Sequence, residues 1–595
     1  PAFIGNRIGI FGIMSLFHAV KDLGLTIEEV DKLTGPVIGR PKSATFRTVD
    51  VVGLDTLVHV ANGLYKGVPD DEAHDLFKLP AYIETMMENK WLGSKTKQGF
   101  YKKSVDEKGK KQILGLDLDT LEYRPGKKVS FATLGMTKTI DKVIDRFKVL
   151  VKGKDKAGEF YRKTFSAMFA YVQNRIPEIS DELYRIDDAM KAGFGWEHGP
   201  FQIWDAIGVE AGIEMMKAEG YEVANWITDM LTKSNTSFYS VKNGAKLYYD
   251  IPTQAQTKIP GQDAFIILDN IRESKTIWSN AEASIQHLGD GVLNIEFQSK
   301  MNTIGGGVLQ AINKGIDLAE QEYAAVILGN QAANFSVGAN LAMAFMLAVE
   351  QEYDELAMAT KMFQDTVMRL RYSSVPTLIT PRGMTFGGAC EMSMHADKVV
   401  AAAETYTGLV EFGVGIIPGG AGTKEMTKRV SDLWVKDDVQ LNRLRDAFIN
   451  IAMAKVATSA HEAFDLGFYQ KGKDIVVVNA DRQIATAKRY AIQMLEDGYT
   501  QPAPQKVRVL GQQALGMFMV GTDSLEKGKY ASEHDKKIAN KLGYIMAGGD
   551  LSEPTYVSEQ YLLDLEREAI LSLLTERKTL ERIEHTLKTG KPLRN

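Results

Sequence analysis

The hydrophobic pattern of this 595-residue chain changes its period near residue 260. Before that point, apolar residues recur every three or four positions, as Leu54, Leu57, Val58 and Leu64 do. That spacing is typical of amphipathic helices. Because a chain of this length is too long for one hydrophobic core, we predict several domains, of which the first are helical.

After residue 260, strand-like apolar runs alternate with helical stretches. The runs are 264–268, 291–295 and 324–328, and the helical stretches are 307–320 and 352–371. This alternation is typical of an α/β layout, in which helices cover a largely parallel sheet. The sequence therefore predicts a multidomain α/β protein whose second half contains the sheet.

A faint internal repeat lies in the helical half. Phe46 and the following Asp50-Val51-Val52-Gly53-Leu54-Asp55 are echoed by Phe201 and Asp205-Ala206-Ile207-Gly208-Val209-Glu210, and the offset is 155 residues (205 − 50). Each copy follows a turn that contains glycine. The agreement of turn, aromatic residue and Asp-x-x-Gly favours a duplicated helical domain over a chance match.

These patterns give a predicted domain organisation. We expect helical copies at 1–103 and 166–259, a lysine-rich linker at 104–165, an α/β domain at 260–475 and a helical C-terminal region at 476–595. The chain opens at Pro1, without Met or a signal-peptide pattern, and we interpret it as the middle of a longer polypeptide.

Composition argues against several classes of function. The net charge is −5, and no long Lys/Arg block suggests nucleic-acid binding. No apolar run approaches the roughly 18–20 residues that a transmembrane helix needs. The single cysteine, Cys390, excludes an internal disulfide and favours a cytoplasmic location. His461-Glu462 lacks a second histidine at metal-binding spacing, so no metal site is predicted.

Three glycine-rich turns in the second half carry the residues that suggest chemistry. Gly387-Gly388 stands between a strand-like run and a helix that contains Glu391, and Gly338-Ala339 stands at a similar strand end. At a helix start the backbone N–H groups are unpaired and carry the positive end of the helix dipole, as an oxyanion hole requires. Glu411 precedes a third loop, which contains Gly419. Each turn alone is also compatible with an ordinary tight turn.

Taken in this order, the motifs at 260–475 resemble the crotonase (enoyl-CoA hydratase/isomerase) family. The matching segments are Gly338-Ala339-Asn340, Gly387-Gly388-Ala389-Cys390-Glu391 and the stretch from Val410-Glu411 to Pro418-Gly419-Gly420-Ala421-Gly422-Thr423. Three departures are visible. Asn340 replaces the usual Asp, Val410 replaces the usual Pro, and Ala421 interrupts the Gly-Gly pair.

This resemblance implies a ββα-spiral domain that hydrates trans-2-enoyl-CoA to (S)-3-hydroxyacyl-CoA. It implies Glu391 and Glu411 as catalytic carboxyl groups and the N–H groups of Ala339 and Gly388 as the oxyanion hole. It also implies acyl-CoA contacts for the turn glycines, namely Gly338, Gly387 and Gly419. The presence of both glutamates favours hydration. Two alternatives stay open: a crotonase-fold isomerase or hydrolase of another acyl-CoA, and a non-catalytic scaffold subunit.

The first half is similar to the C-terminal helical domain of 3-hydroxyacyl-CoA dehydrogenases. The resemblance rests on Pro1-Ala2-Phe3-Ile4-Gly5-Asn6-Arg7, on the turn before Asp50 and on Gly99-Phe100-Tyr101. It implies a β-oxidation fusion with the dehydrogenase first and the hydratase last. Asn6 would orient the substrate, with a helix cap as the alternative.

The same resemblance implies partners and a cofactor. NAD would be bound by a Rossmann domain that precedes this segment, because Gly9-Ile10-Phe11-Gly12 lacks the Gly-x-Gly-x-x-Gly pattern. Acyl-CoA is the expected substrate, and a homodimer and a thiolase are the candidate partners.

Overall fold

A computed structural model describes residues 2–107, 109–233 and 235–595. Pro1 in the first predicted copy, Lys108 in the predicted linker and Ser234 in the second copy lie outside the described residues. The chain forms two compact units, Pro1–Pro260 and Gly261–Asn595. Along the described chain, every helix is too short or too polar to cross a bilayer.

The first unit is mostly helical. Its helices are α1 (Ile4–Asp22), α2 (Ile27–Leu33), α3 (Phe46–Val52), α4 (Leu54–Gly67), α5 (Ala81–Glu88), α6 (Ala132–Met136), α7 (Val143–Val151), α8 (Lys156–Gln173), α9 (Leu183–Phe194), α10 (Pro200–Ile207), α11 (Val209–Ala218) and α12 (Asn225–Thr232). Its strands are β1 (Tyr101–Val105), β2 (Lys111–Leu116), β3 (Tyr123–Pro125), β4 (Tyr239–Lys242), β5 (Ala245–Asp250) and β6 (Ala255–Lys258). They form two antiparallel sheets, β1-β2-β3 and β4-β5-β6.

The predicted duplication has a structural counterpart in two aspartates. Asp50 and Asp205 each accept hydrogen bonds from two backbone N–H groups at the start of the sheet that follows in their own copy. The four bonds run to Asp50 from the N–H groups of Phe100 and Tyr101, both at 2.8 Å, and to Asp205 from those of Phe238 at 2.7 Å and Tyr239 at 2.8 Å. Such charge-assisted bonds fix the sheet against the helices.

The helix pairs next to these aspartates are also repeated. Gly53 joins α3 to α4 with φ 106° and ψ 127°, and Gly208 joins α10 to α11 with φ 108° and ψ 130°. Side chains rarely adopt this backbone conformation, so both positions require glycine. The equal offset and the equal dihedral angles support duplication.

The segment 104–165 is not an irregular linker. It contains most of the β1-β2-β3 sheet, the helices α6 and α7, and the first part of α8. Asp50 of the first copy binds the first strand of this sheet, and α8 begins at Lys156, ten residues before the predicted start of the second copy. The strands could not be predicted from the lysine-rich sequence, because only one face of so small a sheet is buried and the strands lack a continuous apolar run.

The second unit contains the α/β part. Its helices are α13 (Leu268–Lys275), α14 (Gly306–Gln321), α15 (Leu341–Val349), α16 (Tyr353–Arg371), α17 (Gly388–His395), α18 (Gly422–Asp432), α19 (Gln440–Ala452), α20 (Ala460–Asp465), α21 (Gln483–Glu496), α22 (Gln512–Lys527), α23 (Glu533–Ala547), α24 (Glu559–Leu574) and α25 (Arg577–Thr589). Its strands are β7 (Thr276–Ser279), β8 (Ala283–His287), β9 (Val292–Phe297), β10 (Ala325–Leu328), β11 (Thr377–Ile379), β12 (Gly383–Phe386), β13 (Lys398–Ala402), β14 (Thr405–Gly408), β15 (Ile475–Val477), β16 (Val507–Val509) and β17 (Thr555–Val557).

The main sheet of this unit has the order β15-β13-β11-β10-β9-β8-β7. Neighbours from β9 to β15 are parallel, and β7, β8 and β9 are antiparallel. Successive residues of β10 alternate between the main core and a smaller core beneath α21. Burial on both faces explains why this strand reads as a continuous apolar run. The predicted helices at 307–320 and 352–371 are confirmed as α14 and α16.

The run 264–268 is not a strand, contrary to the prediction. The run begins in a turn and ends at Leu268, the first residue of α13. Its backbone pairs with one side chain: the Gln331 amide donates to the Ile266 carbonyl at 2.9 Å and accepts the Leu268 N–H at 2.7 Å. The C-terminal region is not separate from the α/β part either. Residues of α22 to α25, such as Phe518 and Ile570, belong to the same buried core as the sheet.

The two hydrogen bonds that Asp50 accepts give a stability prediction. Asp50→Ala leaves two backbone N–H groups of the first copy without their acceptor, so we expect the free energy of unfolding to fall by about 2–4 kcal/mol. Urea denaturation followed by circular dichroism measures this. The exposed Asp188→Ala is the control and should change stability by less than about 0.5 kcal/mol. Equal effects of the two variants would contradict a stabilising role for the hydrogen bonds of Asp50.

Candidate active site

A cavity of about 410 Å³ in the second unit brings the predicted site residues together. It is lined by both glutamates and by all the predicted backbone positions of this unit, which are Gly338, Ala339, Gly387, Gly388, Glu391, Glu411 and Gly419. Asn6 lies in the other unit and is described below. Residues from α24 and α25, Ile570, Leu574 and Thr586, complete the wall. The C-terminal region therefore forms part of the cavity.

Strand pairing explains why the three turns meet. The strands β12 and β14 are parallel, and Phe386 pairs with Gly408 at the ends of both. Parallel strands end at the same edge, so the turn after Phe386 and the loop that carries Glu411 emerge side by side. A further parallel bridge joins Ser336 to Thr385 and brings the Gly338 turn to the same edge.

Two of the turn glycines cannot carry a side chain. Gly387 has φ 53°, and a Cβ atom there would lie 2.8 Å from Oε1 of Glu411. Gly338 has φ 96°, and its Cβ would lie 2.7 Å from the Phe386 carbonyl oxygen. Both distances are shorter than real Cβ contacts, so glycine at these positions is required by the backbone and by the neighbouring atoms.

Two unused backbone donors face the same region. A Cβ atom built on Gly388 would lie 3.5 Å from the nitrogen of Ala339, so the two turns are in contact. Among the described residues, neither the Ala339 N–H nor the Gly388 N–H donates to a protein acceptor. Gly388 is the first residue of α17, where the N–H groups have no partner within the helix. This geometry suits an anionic oxygen.

Glu391 is buried and bound by backbone donors. Its Oε1 accepts the N–H groups of Gly422 at 2.8 Å and Gly420 at 2.9 Å. Burial raises the pKa of Glu391 to about 7, and the Gly422 and Gly420 N–H groups oppose that rise by stabilising the anion. The result is a carboxyl group that changes charge near neutral pH.

Glu411 has a different environment. Its Oε2 is buried and has no hydrogen-bond partner among the described residues. Burial, followed by the charge of Glu391, raises its pKa well above the ordinary value. Its own backbone N–H opposes that rise, but the unbonded Oε2 has no donor that would replace lost hydration, so burial favours the protonated form. The environment of Glu411 therefore favours the protonated form, whereas the backbone donors at Glu391 favour its anion.

The helix α17 is held below the cavity by a buried polar network. The Nδ1 atom of His395 lies 2.6 Å from the Glu391 carbonyl oxygen, and Nε2 lies 2.9 Å from Nζ of Lys424. Since an ammonium group can only donate, Nε2 accepts and Nδ1 carries the proton. The histidine is neutral, and burial lowers its pKa well below the ordinary value. Lys424 is in turn bound to Glu559 at 2.8 Å.

Sequence patterns missed two residues of this region. Phe363 of α16 lies against Gly388 and Gly420, where its ring carbons are 2.7 Å and 2.4 Å from the positions of the absent Cβ atoms. Glu566 of α24 accepts the N–H groups of Ala421 and Lys424. Neither residue had a usable signal, because one is an apolar residue on an amphipathic helix and the other is a charged residue on another.

The three departures from the crotonase signature remain compatible with this geometry. Asn340 caps α15 by accepting the Met343 N–H at 3.2 Å. Val410 precedes a single 3₁₀ turn that starts at Glu411. Ala421 adopts the left-handed conformation, with φ 82°, at the position before α18.

Asn6 is not a helix cap. The helix α1 begins at Ile4 after Phe3, so Asn6 is its third residue. It is half-buried, and its side chain forms no hydrogen bond among the described residues.

Within the described part of the chain, no group of three or more His, Cys, Asp or Glu side chains is arranged to hold a metal ion.

Comparison with known proteins agrees with both halves. Residues 3–103 match the family model "3-hydroxyacyl-CoA dehydrogenase, C-terminal domain", and residues 287–444 match "Enoyl-CoA hydratase/isomerase". A protein of Bacillus subtilis (strain 168), named probable 3-hydroxyacyl-CoA dehydrogenase, is 41% identical over 596 residues, which cover 100% of this chain and 74% of that protein. The chain belongs to this family of dehydrogenase-first fusions with a crotonase domain.

More distant relatives carry related names. A fatty acid oxidation complex trifunctional enzyme of Rickettsia prowazekii (strain Madrid E) is 24% identical, over 98% of this chain and 73% of that protein. Among solved structures, an enoyl-CoA hydratase from Bacillus halodurans aligns with 51% of this chain and 99% of its own, with 17% identity and a TM-score of 0.35. The fusion family thus carries both 3-hydroxyacyl-CoA dehydrogenase and enoyl-CoA hydratase domains.

The raised pKa values give a prediction for stability. A carboxyl group whose pKa is higher in the folded than in the unfolded state stabilises the fold at low pH, and this stabilisation is lost as pH rises towards the folded value. For Glu391 that window runs from about 4.3, the unfolded value, to about 7, and for Glu411 it extends higher.

We therefore expect Glu411→Gln to raise the melting temperature at pH 8 by roughly 2 °C or more, with a smaller gain at pH 5. Differential scanning calorimetry at the two pH values measures this. Glu496→Gln, an exposed change of the same kind, should have no such pH-dependent effect. An equal gain at both pH values would contradict the raised pKa of Glu411.

Proposed function

We propose that the second unit hydrates trans-2-enoyl-CoA to (S)-3-hydroxyacyl-CoA. One observation carries this proposal: two buried carboxyl groups with opposite environments share a cavity with two unused backbone N–H donors. Addition of water to an enoyl thioester requires a base, an acid and stabilisation of a developing oxyanion. The cavity supplies a candidate group for each.

The environments suggest which carboxyl group does what. Glu391, whose anion is stabilised by Gly420 and Gly422, would accept a proton from water as its oxygen attacks C3. Glu411, whose Oε2 is buried without a hydrogen-bond partner among the described residues, would give its proton to C2. Pairs of carboxyl groups whose environments separate their pKa values commonly divide acid and base roles in this way.

The two N–H groups would bind the thioester oxygen. As water adds to C3, negative charge moves through C2 to that oxygen, and the resulting enolate would be stabilised by the donors of Ala339 and Gly388. Proton transfer to C2 then completes the product, so the water proton ends on Glu391 and the proton of Glu411 ends on carbon. Proton exchange between the two groups and solvent restores the starting state.

Two other functions stay open, and one observation argues against each. The first is an isomerase or hydrolase of another acyl-CoA, and the presence of Glu411 as a second, differently held carboxyl group in the cavity argues against it, because isomerisation can move one proton with a single carboxyl group. The second is a scaffold subunit, which has no use for a buried carboxyl oxygen without a hydrogen-bond partner, since such an atom destabilises the fold.

For the first unit, we propose a role in 3-hydroxyacyl-CoA oxidation, with Asn6 contacting the substrate. The family implies NAD, but the described residues of this unit form helices and two antiparallel sheets. Dinucleotide sites of the Rossmann type need a parallel βαβ unit with a glycine-rich turn. The described residues of this unit therefore do not fit NAD, and no step is assigned to it.

Partners belong to the same proposal. Oxidation of a 3-hydroxyacyl-CoA gives a 3-ketoacyl-CoA, which thiolytic cleavage consumes, so a thiolase is the chemically expected partner. A homodimer and a cytoplasmic location stay predictions.

The proposed acid and base can be tested separately. Glu391→Gln and Glu411→Gln should each lower the kcat for crotonyl-CoA hydration by at least roughly 10²-fold, the scale of general acid–base catalysis. Loss of the enoyl-thioester absorbance follows the reaction. Glu496→Gln, which is exposed and distant in sequence, is the control. Near-normal turnover by both variants would contradict hydration by this pair, and 3-enoyl-CoA isomerisation that survives Glu411→Gln would favour the isomerase.

The oxyanion donor can be tested by a matched pair at residue 339. Ala339→Pro removes the N–H, and we expect turnover to fall by roughly 10²-fold or more. Ala339→Gly keeps the N–H and should remain within a few-fold of wild type. Circular dichroism checks that the proline variant is folded. A folded proline variant with normal activity would place the donor elsewhere.

A further inference from the structure

Glu566 is a third carboxyl group near the site, although it is not among the residues that line the cavity. It lies on α24 and is fully buried, with a relative exposure of 0%. Its Oε1 accepts the N–H of Ala421 at 2.6 Å, and its Oε2 accepts the N–H of Lys424 at 2.9 Å. Because both oxygens accept a backbone donor, the bonds favour the ionised form.

The same loop binds Glu391. Along the chain, the N–H groups of Gly420 and Gly422 point to Glu391, and those of Ala421 and Lys424 point to Glu566. The loop before α18 is thus held between two carboxyl groups. Movement of one set of donors moves the other, because the two sets alternate along one short stretch of backbone.

The conformation of Ala421 makes an external hold necessary. Its φ of 82° is left-handed, which costs a residue with a Cβ atom about 1 kcal/mol or more relative to glycine. A strained backbone of this kind persists only where its surroundings fix it. The bond from the Ala421 N–H to Glu566 is a contact that acts at the strained residue itself.

We propose that Glu566 is a positioning residue of the hydratase site: it holds Gly420–Lys424, the end of the loop and the first turn of α18, so that the N–H groups of Gly420 and Gly422 stay directed at Glu391. This rests on the proposed function of Glu391 as the base. Glu566 does not line the cavity, so its proposed positioning effect reaches the site through the backbone donors that it shares this segment with.

The charged groups around Glu566 are otherwise paired. Lys424 Nζ faces Glu559 and Glu425, Arg567 binds Gln364 and Asp564, and Arg582 binds Asp535. His395 is neutral, as described above. The remaining carboxyl groups are Glu391 and Glu411. Burial and then repulsion from Glu391 raise the pKa of Glu566, and the N–H groups of Lys424 and Ala421 and the charge of Lys424 oppose that rise. The titration of Glu391 is therefore sensitive both to the loop donors and to the charge of Glu566.

The first test does not depend on activity. In Glu566→Gln, the NH2 group replaces one of the two accepting oxygens and cannot accept a hydrogen bond. One of the backbone N–H groups of Ala421 and Lys424 therefore loses its acceptor, and the segment should be held less firmly. We expect amide hydrogen exchange at Gly420 and Gly422, resolved by fragmentation mass spectrometry, to speed up at least tenfold relative to the core strand β10. The exposed Glu568→Gln on the same helix is the control. Unchanged exchange at Gly420 and Gly422 would overturn the proposal, whether or not the protein is a hydratase.

The second test uses the pH dependence of crotonyl-CoA hydration. Loss of the Gly420 and Gly422 donors destabilises the Glu391 anion, so in Glu566→Gln the acid limb of kcat/KM should move to higher pH by about half a unit or more, and kcat should fall at least roughly tenfold. Glu566→Asp, which keeps the charge, should recover part of the loss. A move to lower pH would show that Glu566 acts through its charge alone, and an unmoved limb would show a merely structural role. Either result would overturn the proposal.

Discussion

The start of α18 is the point on which the proposed chemistry depends. There, backbone N–H groups bind two carboxyl groups that the fold has removed from water. An isolated buried carboxylate is too costly to persist, and its charge survives only where donors replace the lost hydration. The glycines of the loop let the backbone come this close: a Cβ atom on Gly422 would lie 2.8 Å from Oε1 of Glu391. The proton affinity of the proposed base is thus set by backbone geometry.

Much of the site could be predicted because its chemistry restricts the sequence. Gly338 and Gly387 are required by positive φ and by atoms that leave no room for a side chain, so they cannot vary without moving Glu411 or the Phe386 carbonyl. Such positions leave a fixed pattern of letters. Glu566 leaves none. A glutamate between Leu565 and Arg567 has the same appearance as a solvent-facing residue of any amphipathic helix, and only tertiary packing makes it buried.

The fold shows the same division between local and non-local information. The strand β10 could be predicted, because burial on both faces gives a continuous apolar run. The run 264–268 has the same composition, yet it pairs with Gln331, which lies more than sixty positions along the chain. The sheet β1-β2-β3 was hidden for the opposite reason. Its strands carry lysines on the exposed face, and the start of the sheet is fixed by the carboxylate of Asp50, a residue of α3 about fifty positions earlier in the chain.

The last two helices of the chain have a consequence for how this enzyme family can be shortened or diversified. Ile570 and Leu574 of α24 and Thr586 of α25 form part of the cavity wall, and Ile570 fills the space that a side chain on Gly419 would need. A chain that ended after the sheet would keep both glutamates and every oxyanion donor, yet its cavity would open to water on that side. The difference between the pKa values of Glu391 and Glu411 depends on exclusion of water. Loss of these helices would therefore remove the proposed division into acid and base, although both glutamates would still be present.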